Sequence, residues 1–498
     1  MLSYKSILLT LIFITFSFFS KSQNPKREMR GVWVATVKNL DWPSKPGLST
    51  NIQKQEIDNI LTHLKSLGFN AVFLQVRPSA DALYKSSIEP WSKYLTGKQG
   101  KAPKPFYDPL KYWITAANKL GIEVHAWINP FRLTTNLEEE LVTNHPLLEH
   151  PEWIVEYRNS LLLDPGFPEV EKYINSVIAE LTTNYDIAGI HLDDYFYPYP
   201  VKGVDFPDSV SHSLYCDTSV FKTTAQWRRN NVNRTVESIY KTIKRVKPWV
   251  SFGVSPFGVW RNIADDPTGS NTTAGVTNYD HLNADILEWL KNGWVDYIAP
   301  QIYWYMEHPA ASFKTISQWW NKNSYSTNLY AGLSIYKING NKPEWQNSEE
   351  MPNQIKLGRE LNNFNGNLYF RYAFLKRDIL GLQDSLKHKY YSTPALTPVI
   401  DGNVDIPPLS VRRIKASRKK LKWKVKKEDL KNIKYFVIYS YSQDNGFNPT
   451  STEQIVSITG LHYMPLDRSY KNSRPKRYYR VSVIDKFGNE GKISEAAK

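Results

Sequence analysis

Along most of the chain, short stretches with period-two apolar spacing alternate with longer ones whose apolar residues recur every three or four positions. The first kind predicts strands at Arg30 to Val37, Asn70 to Arg77, Glu123 to Asn129, and Asp186 running up to Asp193. Four more follow at Trp249 to Ser255, Asp296 to Tyr303, Asn328 to Ser334 and Gly366 to Arg371. The second kind predicts helices at Asn51 to Leu67, Asp108 to Leu120, Glu169 to Tyr185, Ala225 to Val246, Asp280 to Lys291, Phe313 to Asn321, Glu349 to Phe364 and Leu375 to Lys387. Gly68 and Gly121 stand where the first two should stop. Eight strand–helix pairs in succession predict a (β/α)8 TIM barrel with enlarged loops over residues 24–390. A doubly wound open sheet competes, but no glycine-rich phosphate loop supports it.

The pattern changes after the barrel. Thr393 to Pro408 holds four prolines and no periodicity, and predicts a linker over 391–410. From 411 to 498, short alternating stretches broken by Asn445-Gly and Phe487-Gly-Asn predict a small all-β sandwich of fibronectin type III character. At the other end, Lys5 followed by the apolar run Ile7 to Phe19 and the small residues Ser20 and Ser22 predicts a secretory leader over 1–23. Export, to the periplasm or beyond, with no membrane span after cleavage, is the consequence. Cys216 is the single cysteine, so no intrachain disulfide, no cysteine metal site and no lipid-anchoring cysteine after the leader are expected.

Charge adds one asymmetry. Residues 411–498 hold 21 Lys and Arg against 8 Asp and Glu, a net of +13, and leave +2 for the remaining 410 residues. A basic exported module is either a solubilising surface or a contact for an anionic polymer such as wall glycan; nucleic acid is not an expected partner.

Barrel chemistry sits at the C-terminal ends of the strands. Those ends deliver Trp33; Gln75 and Arg77; Trp127, Asn129 and Arg132; His191, Asp193, Asp194 and Tyr195; Trp260 and Arg261; and Gln301, Tyr303 and Trp304. Glycoside cleavage requires a carboxylic acid for the leaving oxygen and a group to stabilise the oxocarbenium-like centre. Asp193 is the best-placed carboxylate. Asp194 follows it but points the opposite way unless the strand bends there. Asp41, Asp81, Asp164 and Asp280 are reserve partners. Arg77 and Arg132 suit an anionic substituent, and His191 or Arg77 could set the ionisation of Asp193. His191 reads equally well as a hydrogen-bonded core histidine. The 16 Trp and 31 Tyr serve either large cores or sugar platforms. No metal-ligand spacing, cofactor loop or Gly-x-Ser-x-Gly elbow occurs.

Several segments taken in order carry a resemblance. Arg27-Glu-Met-Arg-Gly-Val-Trp-Val, Phe69-Asn-Ala-Val-Phe-Leu-Gln-Val-Arg-Pro, His125-Ala-Trp-Ile-Asn-Pro, Gly189-Ile-His-Leu-Asp-Asp-Tyr-Phe-Tyr-Pro, Phe252-Gly-Val-Ser-Pro-Phe-Gly and Asp296-Tyr-Ile-Ala-Pro-Gln-Ile-Tyr-Trp resemble the glycosyl-hydrolase-like family 10. The resemblance spans about Pro25 to Lys389. It implies a (β/α)8 glycosidase with Asp193 and Asp194 at the paired-acid position, and its bacterial members include an enzyme that cuts peptidoglycan glycan strands stripped of peptide. A looser likeness to chitinases with Asp-x-x-Asp-x-Asp-x-Glu places Ala188, His191, Asp193 and Tyr195 at the four acidic positions. Only Asp193 matches, so what carries over is an N-acetylhexosamine-containing substrate and not the chitinase acid. The expectation is an exported glycosidase of wall glycan, with a hydrolase of another polysaccharide and a non-catalytic glycan-binding protein as rivals.

Overall fold

The computed structural model describes residues 24–400, 409–417, 419–466 and 476–498. The expected leader, 1–23, lies outside them. Chain order runs β1 Met29–Val34, α1 Thr50–Ser66, β2 Ala71–Arg77, α2 Pro109–Leu120, β3 Glu123–Ile128, a hairpin of β4 Ile154–Tyr157 and β5 Ser160–Leu163, α3 Pro168–Asn184 and β6 Gly189–Leu192. It continues through α4 Thr224–Val246, β7 Ser251–Val254, α5 Ile286–Lys291, β8 Tyr297–Ile298, α6 Phe313–Asn323, β9 Asn328–Leu333, α7 Glu350–Glu360 and β10 Phe364–Tyr369. Eight of these strands close a parallel barrel in the order β1-β10-β9-β8-β7-β6-β3-β2.

Period-two parity decides which side chains fill the barrel. Val32, Val34, Val72, Leu74, Val124, Ala126, Ile190, Leu192, Phe252 and Val254 face outward and pack under the helices. Met29, Trp33, Phe73, Trp127, Tyr297, Tyr330 and Leu368 face inward as a separate cluster. Rings dominate that interior, and glycines on neighbouring strands make room for them. A Cβ at Gly253 would overlap the Tyr297 ring, and one at Gly189 would overlap His125.

Local chemistry sets the helix ends. Ser49 and Asp108 accept the N–H groups of Ile52 and Lys111, and Thr223 with Gln226 forms a reciprocal cap on α4. Two predicted helices are broken. Asn283 takes φ 51° and Asp285 caps a fresh start at α5; Asp378, Leu380 and Gly381 all take positive φ and interrupt the stretch after β10. The sixth barrel strand is shorter than expected because Pro300 has no N–H for the ladder. Beyond it, Gln301 pairs only through single bridges to Phe257 and Gly332. The β4–β5 hairpin is an addition that the pattern did not reveal.

The expected linker differs from a free tether over 391–400. Leu396 exchanges backbone hydrogen bonds with Lys26 and Glu28, and the Ile400 N–H donates to Phe487. Beyond it, β11 Arg413–Ala416, β12 Lys420–Lys424, β13 Ile433–Ser442, β14 Ile455–Thr459, β15 Tyr463–Pro465 and β16 Arg477–Asp485 form two antiparallel sheets, β11-β12-β15 and β14-β13-β16. Leu421, Trp423, Phe436, Ile438, Val481 and Val483 pack between them. The other face of β13, with Tyr435, Val437 and Tyr439, is buried too. That face meets the floor of the barrel, where the strands begin. Lys434 pairs with Glu123 at 2.6 Å, Lys486 with Asp186 at 3.3 Å, and the Gly460 N–H donates to the Asn118 carbonyl.

Candidate active site

At the opposite end, the tips of β2, β3 and β6 bring Gln75, Trp127, Asn129 and Asp193 together. The backbone N–H groups of Thr36 and Val37, in the loop after β1, both donate to Gln75 Oε1 at 3.0 Å. With its oxygen so occupied, Gln75 must present Nε2 to Asn129 Oδ1, at 2.6 Å. Asn129 in turn presents its amide N–H to Asp193 Oδ2, which also accepts from Trp127 Nε1 at 3.2 Å. The direction of every amide is thereby set from the β1 loop to the carboxylate. Asp193 Oδ1 is buried and has no hydrogen-bond partner among the described residues. A buried oxygen left unpaired at a barrel mouth is positioned for something the protein does not itself supply. Burial pushes the Asp193 carboxyl up to about 7; the charge of Asp194 adds to this, while Arg132, Trp127 and Asn129 pull the other way.

Asp194 escapes the strand's alternation because β6 ends at Leu192. It is buried in the same mouth, accepts from the Tyr199 hydroxyl and is hydrogen-bonded by the Gln301 side chain. Burial raises its carboxyl as well, against these donors. Arg132 lies 4.9 Å over the Tyr195 ring, half-buried, and has no ion-pair partner among the described residues. Rings line the rest. Tyr199 meets Tyr195 at 5.8 Å and Phe257 at 6.2 Å, and Phe257 meets Trp304 at 5.5 Å. Tyr303 meets Phe370 and Tyr336, each at 5.9 Å.

Other candidate residues are placed elsewhere. Arg77 is fully buried and spent on Glu89, with Nη2 to Oε1 at 2.6 Å, and on the carbonyls of Asn129 and Pro130. It supports the loop under the mouth and has no free donor face for a substrate carboxylate. His191 and Trp33 lie inside the barrel. Trp33 Nε1 donates to His191 Nε2 at 3.1 Å, so Nδ1 carries the proton and faces the Tyr297 hydroxyl at 3.1 Å. From Tyr297 the chain of hydrogen bonds continues through His125 to Glu123 and ends at Lys434. Burial holds His191 well below the usual histidine range, which fits a neutral core ring and not a cation tuning Asp193. Trp260 stacks on Trp319 at 5.8 Å, and Arg261 is shared between Asp266 and Asp280, each at 2.8 Å. Of the reserve acids, Asp41 is held by Arg371 and Asp164 by Ser211 and the Gly166 N–H. Asp280 is engaged by Arg261, and Asp81 is buried within the loop after β2. Sequence reasoning passed over Tyr199, although it closes the same tyrosine-rich stretch. It also missed Tyr336 and Phe370, which follow the seventh and eighth strands.

A cleft of about 890 Å³ opens at the floor between Lys119, Glu180, Trp249 and Lys434. It lies at strand beginnings, the end that in barrels serves stability and not chemistry.

A model of the family described as Glycosyl hydrolase-like 10 matches residues 28–348. The chain belongs to that family. The match includes every mouth residue from Gln75 to Tyr336 and stops short of Phe370. Among its relatives, Glycosyl hydrolase YngK of Bacillus subtilis (strain 168) is 40% identical over 98% of this chain and 97% of its own length, so the likeness extends through the C-terminal sheets. Glycosyl hydrolase DigH of Escherichia coli (strain K12) is 37% identical over 72% of this chain and 85% of its own length. The protein is a glycoside hydrolase.

Proposed function

We propose that the enzyme is exported and cleaves bacterial wall glycan, specifically peptidoglycan strands free of peptide. The observation that carries this is the pair Asp193 and Asp194, buried side by side among tyrosine rings beneath an unpaired arginine. Consecutive Cα atoms are only about 3.8 Å apart, so both carboxyls approach a sugar from one side. Mechanisms with carboxylates on opposite faces require a second acid from another strand; of the reserve acids, Asp41, Asp164 and Asp280 are engaged elsewhere and Asp81 is buried in the loop after β2. A substrate bearing its own 2-acetamido group needs no such acid. In this reading Asp193 gives its proton to the leaving oxygen as the acetamido oxygen bonds to C1 and the glycosidic bond breaks. Asp194, already bonded by Tyr199 and Gln301, takes the hydrogen bond of the acetamido N–H. Water then opens the cyclic intermediate, passing its proton back to Asp193, with net retention. Arg132 holds an acidic substituent such as a lactyl carboxylate, and Tyr195, Tyr303 and Trp304 offer ring faces to sugars.

The C-terminal sheets, with strand orders 1-2-5 and 4-3-6 in their own numbering, support a fibronectin type III-like sandwich. They sit too far from the mouth to line it.

The test incubates purified protein with peptide-stripped wall glycan, starch and xylan and identifies products by mass spectrometry. Cleavage of the stripped strands, abolished by Asp193→Asn and lost on de-N-acetylated strands, is the expected result. Products from starch or xylan, with none from stripped strands, reject the proposal.

A further inference from the structure

The sheet β11-β12-β15 forms the far tip of the molecule, because its partner sheet is the one seated on the barrel floor. Along β12, Leu421 and Trp423 point into the sandwich while Lys420, Lys422 and Lys424 are exposed. On β11, Arg413 and Lys415 are exposed as well. The register sets Arg413 directly opposite Lys424 and Lys415 directly opposite Lys422. Like charges facing one another across strands destabilise a sheet, and none of these five cations has an acid within ion-pair distance among the described residues. Lysines on an edge strand deter unwanted strand pairing, which accounts for β11. It does not account for β12, which is bonded on both sides, to β11 and β15.

The shape of the array narrows its partner. Alternate residues on a strand lie about 6.8 Å apart and neighbouring strands about 4.8 Å. The cations therefore form a ribbon roughly 13 Å long and two strands wide. Tyr463, exposed and paired with Lys422, stands along one side of it. A narrow charged ribbon beside an aromatic face fits a linear chain of sugars better than a plane of lipid headgroups. We infer that the outward face of β11-β12-β15 binds a linear carboxylate-bearing glycan; that this glycan is the wall strand rests on the reading above. The mouth and the ribbon lie at opposite ends, so one enzyme engages two separate stretches of polymer.

The test uses full-length protein carrying Asp193→Asn, so that polymer is bound and not cut. It is sedimented at low salt with insoluble peptide-stripped wall glycan, beside the same protein with K415Q, K420Q, K422Q and K424Q added. These substitutions are expected to raise Kd about tenfold or more. Amidating the glycan carboxyls produces the same loss, and raised salt removes the difference. Equal Kd for the two proteins overturns the inference. So does binding to phosphatidylglycerol–phosphatidylcholine vesicles that depends on the four lysines when binding to glycan does not. Without Asp193→Asn, the four substitutions leave kcat on short soluble strands unchanged. Failure of the parent enzyme to cut those strands would count against the wall-glycan reading, while lysine-dependent binding would still support the ribbon.

Discussion

Replacing Asn129 with alanine tests whether Asp193 is the proton donor. Asn129 donates to Asp193 Oδ2, and a donor to a carboxylate stabilises the ionised form. Hydrogen bonds to charged groups contribute about 1.5–3 kcal/mol, and each pKa unit corresponds to about 1.36 kcal/mol. Loss of the bond therefore raises the Asp193 carboxyl by about one to two units from its value of about 7. If Asp193 must be protonated to act, the alkaline limb of kcat/KM moves from near neutral to roughly pH 8–9. The maximal rate falls, since a weaker acid transfers its proton less readily and the carboxylate loses a positioning contact. Gln75→Leu frees Asn129 to turn and shifts the limb in the same direction by less. The assay is initial rate against pH on soluble stripped glycan, below KM. An alkaline limb that stays in place in Asn129→Ala, or moves to lower pH, refutes the assignment of Asp193 as acid.

Other consequences concern stability. The folded-state pKa of Asp193 lies above its unfolded value, so its charge costs stability that grows as pH rises from about 4 to 7; Asp193→Asn is expected to add at most a few kcal/mol of stability at pH 8, read as a higher Tm, and none near pH 4, and an equal gain at both pH values contradicts this. Burial raises the carboxyl of Glu123, yet Lys434 and His125 outweigh it and hold it at about 2. Lys434→Met leaves that charge buried without its cation and should cost about 3–5 kcal/mol by urea denaturation at pH 7; Glu123→Gln in the same chain should recover most of it, and a loss under about 0.5 kcal/mol would show the contact to be dispensable. Gly253→Ala drives a methyl into the Tyr297 ring and should lower stability by about 1–3 kcal/mol, read as a fall in Tm; an unchanged Tm would mean the interior has slack.

Much of this protein was legible in its pattern, because strand parity and helical spacing are local. Eight alternating stretches were enough to place the barrel strands and to bring Gln75, Trp127, Asn129 and Asp193 to one end of the barrel. What the pattern could not decide was the partner of each polar side chain. Arg77 and Arg132 look alike in sequence; one is spent on Glu89, brought back by the loop after β2, and the other is free at the mouth. Asp194 joins Asp193 only because β6 stops at Leu192, and His191 became a core ring because Trp33 and Tyr297 meet it from strands far along the chain. The seating of the C-terminal sheets on the barrel floor, through Lys434 and Glu123, was equally invisible. Periodicity is a property of neighbouring residues and survives reading in one dimension. Charge pairing and hydrogen-bond direction depend on atoms hundreds of residues apart, and folding alone selects among their possible partners.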